Sequence, residues 1–148
     1  MTVRMSSGLR HAVVTNYGVG MMMNGGYIQV FSGGQPPSAD DQATGTLLGF
    51  ITQDGLPLPL PGDSEGGLQL RGGRLGEIVN DGNWVLKCVT AGAPGWWRFV
   101  SQQIDPGVFS QSAVRIDGSV GDSLFEIPPS LTAQSTTPVA GFTLRFLS

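Results

Sequence analysis

The chain has 148 residues and a mass of 15.5 kDa, room for one domain. Only 13% of its residues are charged, while 23 are glycine and 10 proline, nearly twice the usual share of turn formers; this excludes coiled coils and helical bundles and favours short strands joined by tight turns. The net charge is −3, with eight Lys or Arg against eleven Asp or Glu and no basic run, which excludes a nucleic-acid surface built on clustered cations.

At the N terminus, Leu9, Ala12, Val13 and Tyr17 fall on one face of a helix. Ser6 or Ser7 can supply its N-cap oxygen, and Asn24-Gly25-Gly26 stops it after the run Met21-Met22-Met23. The spacing predicts one helix over about residues 7–23, within an N-terminal helical segment, 1–26, packed on or beside a β-sandwich of residues 27–148. From Tyr27 the period becomes two. Tyr27–Ser32 and Thr46–Thr52 read as strands separated by a loop. Leu56–Gly67 carries Pro57, Pro59 and Pro61 on alternate positions; proline has no N–H to give a ladder, so this segment reads as an exposed loop or extended arm.

Leu68–Leu70 and Gly76–Val79 are short strands. Asn80-Asp81-Gly82-Asn83 then predicts a hairpin into Trp84–Val89, with Trp84, Leu86 and Cys88 on one face and Val85, Lys87 and Val89 on the other. In Trp96–Val100, Trp97 and Phe99 face one way and Trp96, Arg98 and Val100 the other. Ala113–Ile116, Leu124–Ile127 and Gly141–Leu147 complete the set, the last with Phe142, Leu144 and Phe146 as its apolar face. The expectation is a mostly β fold, a jelly-roll-like antiparallel β-sandwich with one N-terminal helix, forming a single domain.

Scarce residues limit the chemistry. His11 is the only histidine and Cys88 the only cysteine, so no intramolecular disulfide can form and a Cys/His zinc site is excluded. No stretch approaches the roughly 20 apolar residues of a membrane span, and the first residues hold no signal-peptide core; the expectation is a soluble chain made in a reducing cytoplasm. Gly18-Val19-Gly20 lacks the third glycine and the preceding strand of a dinucleotide fingerprint. Asp117 and Asp122 flank a glycine turn and could offer oxygens to calcium, but their spacing matches no EF-hand loop, and a turn in which Asp accepts backbone N–H groups is the favoured reading. Asp40-Asp41 reads as a turn cap, and nothing in the sequence brings Glu77 and Glu126 together as a glycosidase pair. The expectation is therefore no enzyme, with no catalytic residue, no cofactor and no metal site.

Candidate contact residues remain. Met21, Met22 and Met23 form a soft patch that suits either packing on a sheet or a neighbouring subunit. Pro57, Pro59 and Pro61 pre-order an arm that could lie on a partner. Trp96 and Trp97 are adjacent and face opposite sides, which puts one in the core and the other, Trp96, on the outer face or in a contact. Cys88 reads as a buried free thiol and His11 as a surface or interface residue.

Several segments carry a resemblance. Ile28-Gln29-Val30-Phe31-Ser32-Gly33-Gly34-Gln35-Pro36-Pro37-Ser38-Ala39-Asp40 and Thr44-Gly45-Thr46-Leu47-Leu48-Gly49 resemble small virion proteins of tailed bacteriophages. So do Gly8-Leu9-Arg10, Ala93-Pro94-Gly95-Trp96-Trp97-Arg98-Phe99 and Arg115-Ile116-Asp117-Gly118-Ser119-Val120-Gly121, and the likeness runs from about residue 4 to the C terminus, with Leu56–Gly67 departing from it. The resemblance implies a capsid cement or decoration protein with a jelly-roll fold that pairs into dimers or other small oligomers. Its partners would be the major capsid protein and further copies of itself, without nucleic acid or membrane. It would be assembled in the host cytoplasm and reside in the virion capsid. No active site is carried across. The alternatives are a tail or baseplate component and, from another class, a carbohydrate-binding module or glycan hydrolase on a jelly-roll scaffold.

Overall fold

Alternating burial sets the strands, and their ladders close two antiparallel sheets. The structure, a computed structural model, describes residues 3–15, 18–60, 65–121 and 126–145. The larger sheet holds β1 (Arg4–Met5), β2 (Tyr27–Ser32), β3 (Leu47–Gln53), β6 (Trp84–Cys88), β7 (Pro94–Val100), β8 (Arg115–Ser119) and β9 (Thr136–Val139), in the order β1-β8-β7-β2-β3-β6-β9. The smaller holds β4 (Gln69–Gly72), β5 (Glu77–Asp81) and β10 (Thr143–Arg145), in the order β10-β5-β4. Ile28, Val30, Ile51, Leu86 and Phe99 on the larger sheet share one core with Phe142 and Leu144. Phe142 lies 5.0 Å from the Trp84 ring and 6.0 Å from that of Trp97, centroid to centroid. This is the mostly β, two-sheet architecture the alternation predicts, with its strands divided seven and three.

The N-terminal region differs from the single helix expected. It forms α1 (Ser7–Thr15) and α2 (Val19–Met23), because Gly18 takes an extended conformation, φ −71° and ψ 162°, and starts the second helix afresh. Ser6 caps α1: its Oγ accepts the Leu9 N–H at 3.1 Å. Asn24-Gly25 ends α2 as predicted, with Gly25 at φ 86°. Ahead of the helices, Arg4 and Met5 pair with Asp117 and Ile116, so the N-terminal segment also contributes an edge strand to the larger sheet.

The predicted hairpin across Asp81-Gly82 does not form. β5 pairs with β4 and β10, whereas β6 pairs with β3 and β9, so the chain changes sheet at this turn. Gly82 supplies the required positive φ of 82°, but the turn's carbonyls are taken by the end of β3: Gln53 Nε2 donates to Asp81 O at 3.0 Å, and the Asp54 N–H to Asn83 O at 2.7 Å. Burying Trp84, Leu86 and Cys88 between β3 and β9 wins over the local hairpin geometry. Of the strand expected at Leu124–Ile127, Leu124 and Phe125 lie outside the described residues, and Glu126 and Ile127 are not in a strand; Phe146 and Leu147 of the last expected strand also lie outside them. β9 went unread because it contains Pro138, which an edge strand tolerates.

Candidate functional site

β7 breaks the alternation rule. Trp96, Arg98 and Val100 face away from the core, yet Trp96 is 0% exposed and the other two nearly so. Two long connections roof them, residues 33–46 between β2 and β3 and residues 101–114 between β7 and β8. Trp96 stacks on Phe31 at 4.6 Å and donates its indole N–H to Thr44 O at 3.2 Å. The Arg98 guanidinium sits 5.4 Å from the Trp96 ring and bonds both oxygens of Asp117, at 2.8 and 2.9 Å. Burial pushes the Asp117 carboxyl up, against the pull of Arg98, Arg115 and Arg4.

Arg115 ties the two connections together. From full burial it donates to Asp105 Oδ2 at 2.7 Å and Oδ1 at 2.8 Å, and to Val108 O at 2.8 Å. Its Nη1 turns the other way, to Ala39 O at 3.2 Å and Asp40 O at 3.1 Å. Asp40 in turn accepts the Ser7 N–H at 2.7 Å, at the start of α1, and its carbonyl accepts the Ser110 N–H at 2.9 Å. Burial raises the Asp105 carboxyl, but hydrogen bonds from Arg115 and the Gly107 N–H more than offset this and hold it below its ordinary value.

The expected contact residues are placed apart. Trp96 has no accessible face in the single chain and is corrected from a contact to a packing residue of the roofed layer. Met21 is 65% exposed, Met22 is half-buried and Met23 lies in the core, so the methionine run does not act as one patch. Pro57 is exposed and Pro59 half-buried; Pro61 lies outside the described residues. Around these prolines Leu56, Leu58 and Leu60 are exposed, Leu60 by 70%. A cavity of about 180 Å3 is lined by Tyr27, Pro59, Val100 and Ile104, which places this arm beside the 101–114 connection. There Ile104 is 80% exposed, and Val108 and Phe109 are also exposed. Pro59 and Ile104 bring the two segments together at this cavity, and the exposed apolar residues that both carry are called the rim.

Chemically the rim offers contact area. Asp117, a calcium candidate by sequence, spends its carboxylate on Arg98; Asp122 lies outside the described residues. Among the described residues no group of three or more His, Cys, Asp or Glu side chains stands together, and no helix is long and apolar enough to cross a membrane. Glu77 bonds Arg145 at 2.8 Å, and Glu126 lines a separate open cavity of about 550 Å3 with Ile127 and Pro128. Cys88 is buried as expected, its thiol 3.1 Å from Thr90 O. The sequence reading passed over Arg115, Asp105 and the apolar loop residues. A signal was present: in Arg115-Ile116-Asp117 two opposite charges share the outward face of a strand in a charge-poor chain. Compared with known proteins, the chain matches no family model, no curated protein and no solved structure.

Proposed function

We propose that the chain is a structural protein of a tailed-phage virion, a cement or decoration protein that joins neighbouring major capsid subunits by adhesion. The observation that carries this reading is the exposed apolar residues of two connections that meet at one cavity: Leu56, Leu58 and Leu60 flank Pro59, which lines it with Ile104, and Val108 and Phe109 follow in the second connection, on a sandwich whose outer face around β7 and β8 is roofed by its own chain. A rigid body presenting exposed apolar loop residues suits adhesion, and repetition over a shell multiplies a modest affinity. The phage-like segments noted in the sequence supply the kind of partner. The glycan-binding alternative needs an accessible tryptophan, and Trp84, Trp96 and Trp97 are all buried. The test is a cryo-EM reconstruction of the particle carrying this protein, together with a binding assay of a variant lacking residues 57–65, joined by a short Gly-Ser link. The expected results are density on the shell and binding weaker by about tenfold or more, a loss of about 1.4 kcal/mol. Density on the tail, or undiminished binding of the deletion variant, would overturn the capsid assignment or the role of the arm respectively.

A further inference from the structure

The 101–114 connection is held at points that can be named and borders two cavities. Its middle is held by Arg115, through Asp105 and Val108 O, and by the Ser110 N–H on Asp40 O. Its ends are fixed separately, by the Ser101 N–H on Val114 O and by Ser6 Oγ on Ala113 O. One cavity of about 180 Å3 separates it from Tyr27, Pro59 and Val100, and another of about 200 Å3 lies between its own two arms, lined by Ser101, Ile104, Pro106, Ser110 and Val114. Beneath it the two cavities are lined by the buried Val100 and Val114, and Arg115 stands under its Asp105, while its own Ile104, Val108 and Phe109 already face solvent. Opening it would therefore uncover two valines and a charged group, a small apolar area, and apolar burial is the main term that keeps a segment closed. Gly107, at φ 73°, sits at its turn, with its N–H on Asp105 Oδ1 at 2.8 Å.

We propose that residues 102–113 form a strap that opens as a unit and that the Arg115–Asp105 clasp is its fastening. Asp105→Asn removes the charge of the clasp and keeps its size. By amide hydrogen exchange at neutral pH on the whole chain, residues 102–113 of the variant are expected to exchange about tenfold faster or more, with β2, β3 and β6 unchanged. Unchanged exchange in the strap, or loss of protection throughout both sheets, overturns the latch. Should the variant not fold, the wild type carries the test in sub-denaturing urea. The Ser110 amide is then expected to exchange through an opening insensitive to urea, while β2 amides follow global unfolding; a shared urea dependence overturns the strap.

Discussion

At the scale of single residues, some of the chain's few charges sit where water can least reach them. Arg98, Arg115 and Asp117 are all but fully buried on the outer sheet face, and each is paired; removing one partner would leave the other buried and uncompensated, at a cost of several kcal/mol. Asp105 makes this testable by pH. Its carboxyl is held below the ordinary value of 3.8: burial raises it, and the hydrogen bonds from Arg115 and the Gly107 N–H lower it more. An aspartate depressed in the folded state contributes stability that is present above its unfolded value and lost as the pH falls through the folded one. The stability gap between the wild type and Asp105→Asn is thus expected to be constant from neutral pH to about pH 5 and to narrow below 3.8, read by urea denaturation at each pH. A gap that widens in acid contradicts the assignment. Part of this layer was legible in the sequence. Alternation put Trp96, Arg98 and Val100 on one face and Trp97 and Phe99 on the other, which is how they stand. What alternation cannot give is the roof: an outward residue is buried or bare according to where a loop many residues away comes to rest, and Trp96 was misjudged for that reason.

At the scale of elements, the turns were readable and their consequences only in part. Most strands fall within a residue or two of their sequence bounds, because a period of two with bulky β-formers leaves the chain few alternatives. The Asp81-Gly82 turn exists, yet its two arms join different sheets, since pairing is settled by which face must be buried. Gly82 stands at φ 82°, where a side chain is strained, and a Cβ there would run into the Gln53 amide that bonds Asp81 O. Gly82→Ala is therefore expected to cost about 1–2 kcal/mol in urea denaturation, with the m-value and secondary structure unchanged. A cost within a few tenths of a kcal/mol would mean that the turn relaxes freely and does not fix where the chain changes sheet.

At the scale of the whole molecule, the question is whether the sandwich needs a second copy. A chain with only 13% charged residues can leave bare apolar sheet faces that a second copy would cover. The folded chain exposes 7553 Å2, close to the about 7,200 Å2 that a monomer of this mass shows. Its own 33–46 and 101–114 connections roof the outer face around β7 and β8. Exposed apolar residues remain at the rim and, elsewhere, at Val14, Met21, Leu75 and Val89, whereas a stable interface takes roughly 800 Å2 per partner. We propose that any pairing of copies in solution is weak and runs through this rim. Light scattering is expected to give a mass that rises with concentration at tens of micromolar, and Leu58→Ser combined with Leu60→Ser is expected to abolish the rise while leaving the melting temperature in place. A tight dimer that persists in the double variant would place the interface on another surface, such as the edge of β9 or β4, and would separate self-association from the adhesion assigned to the rim.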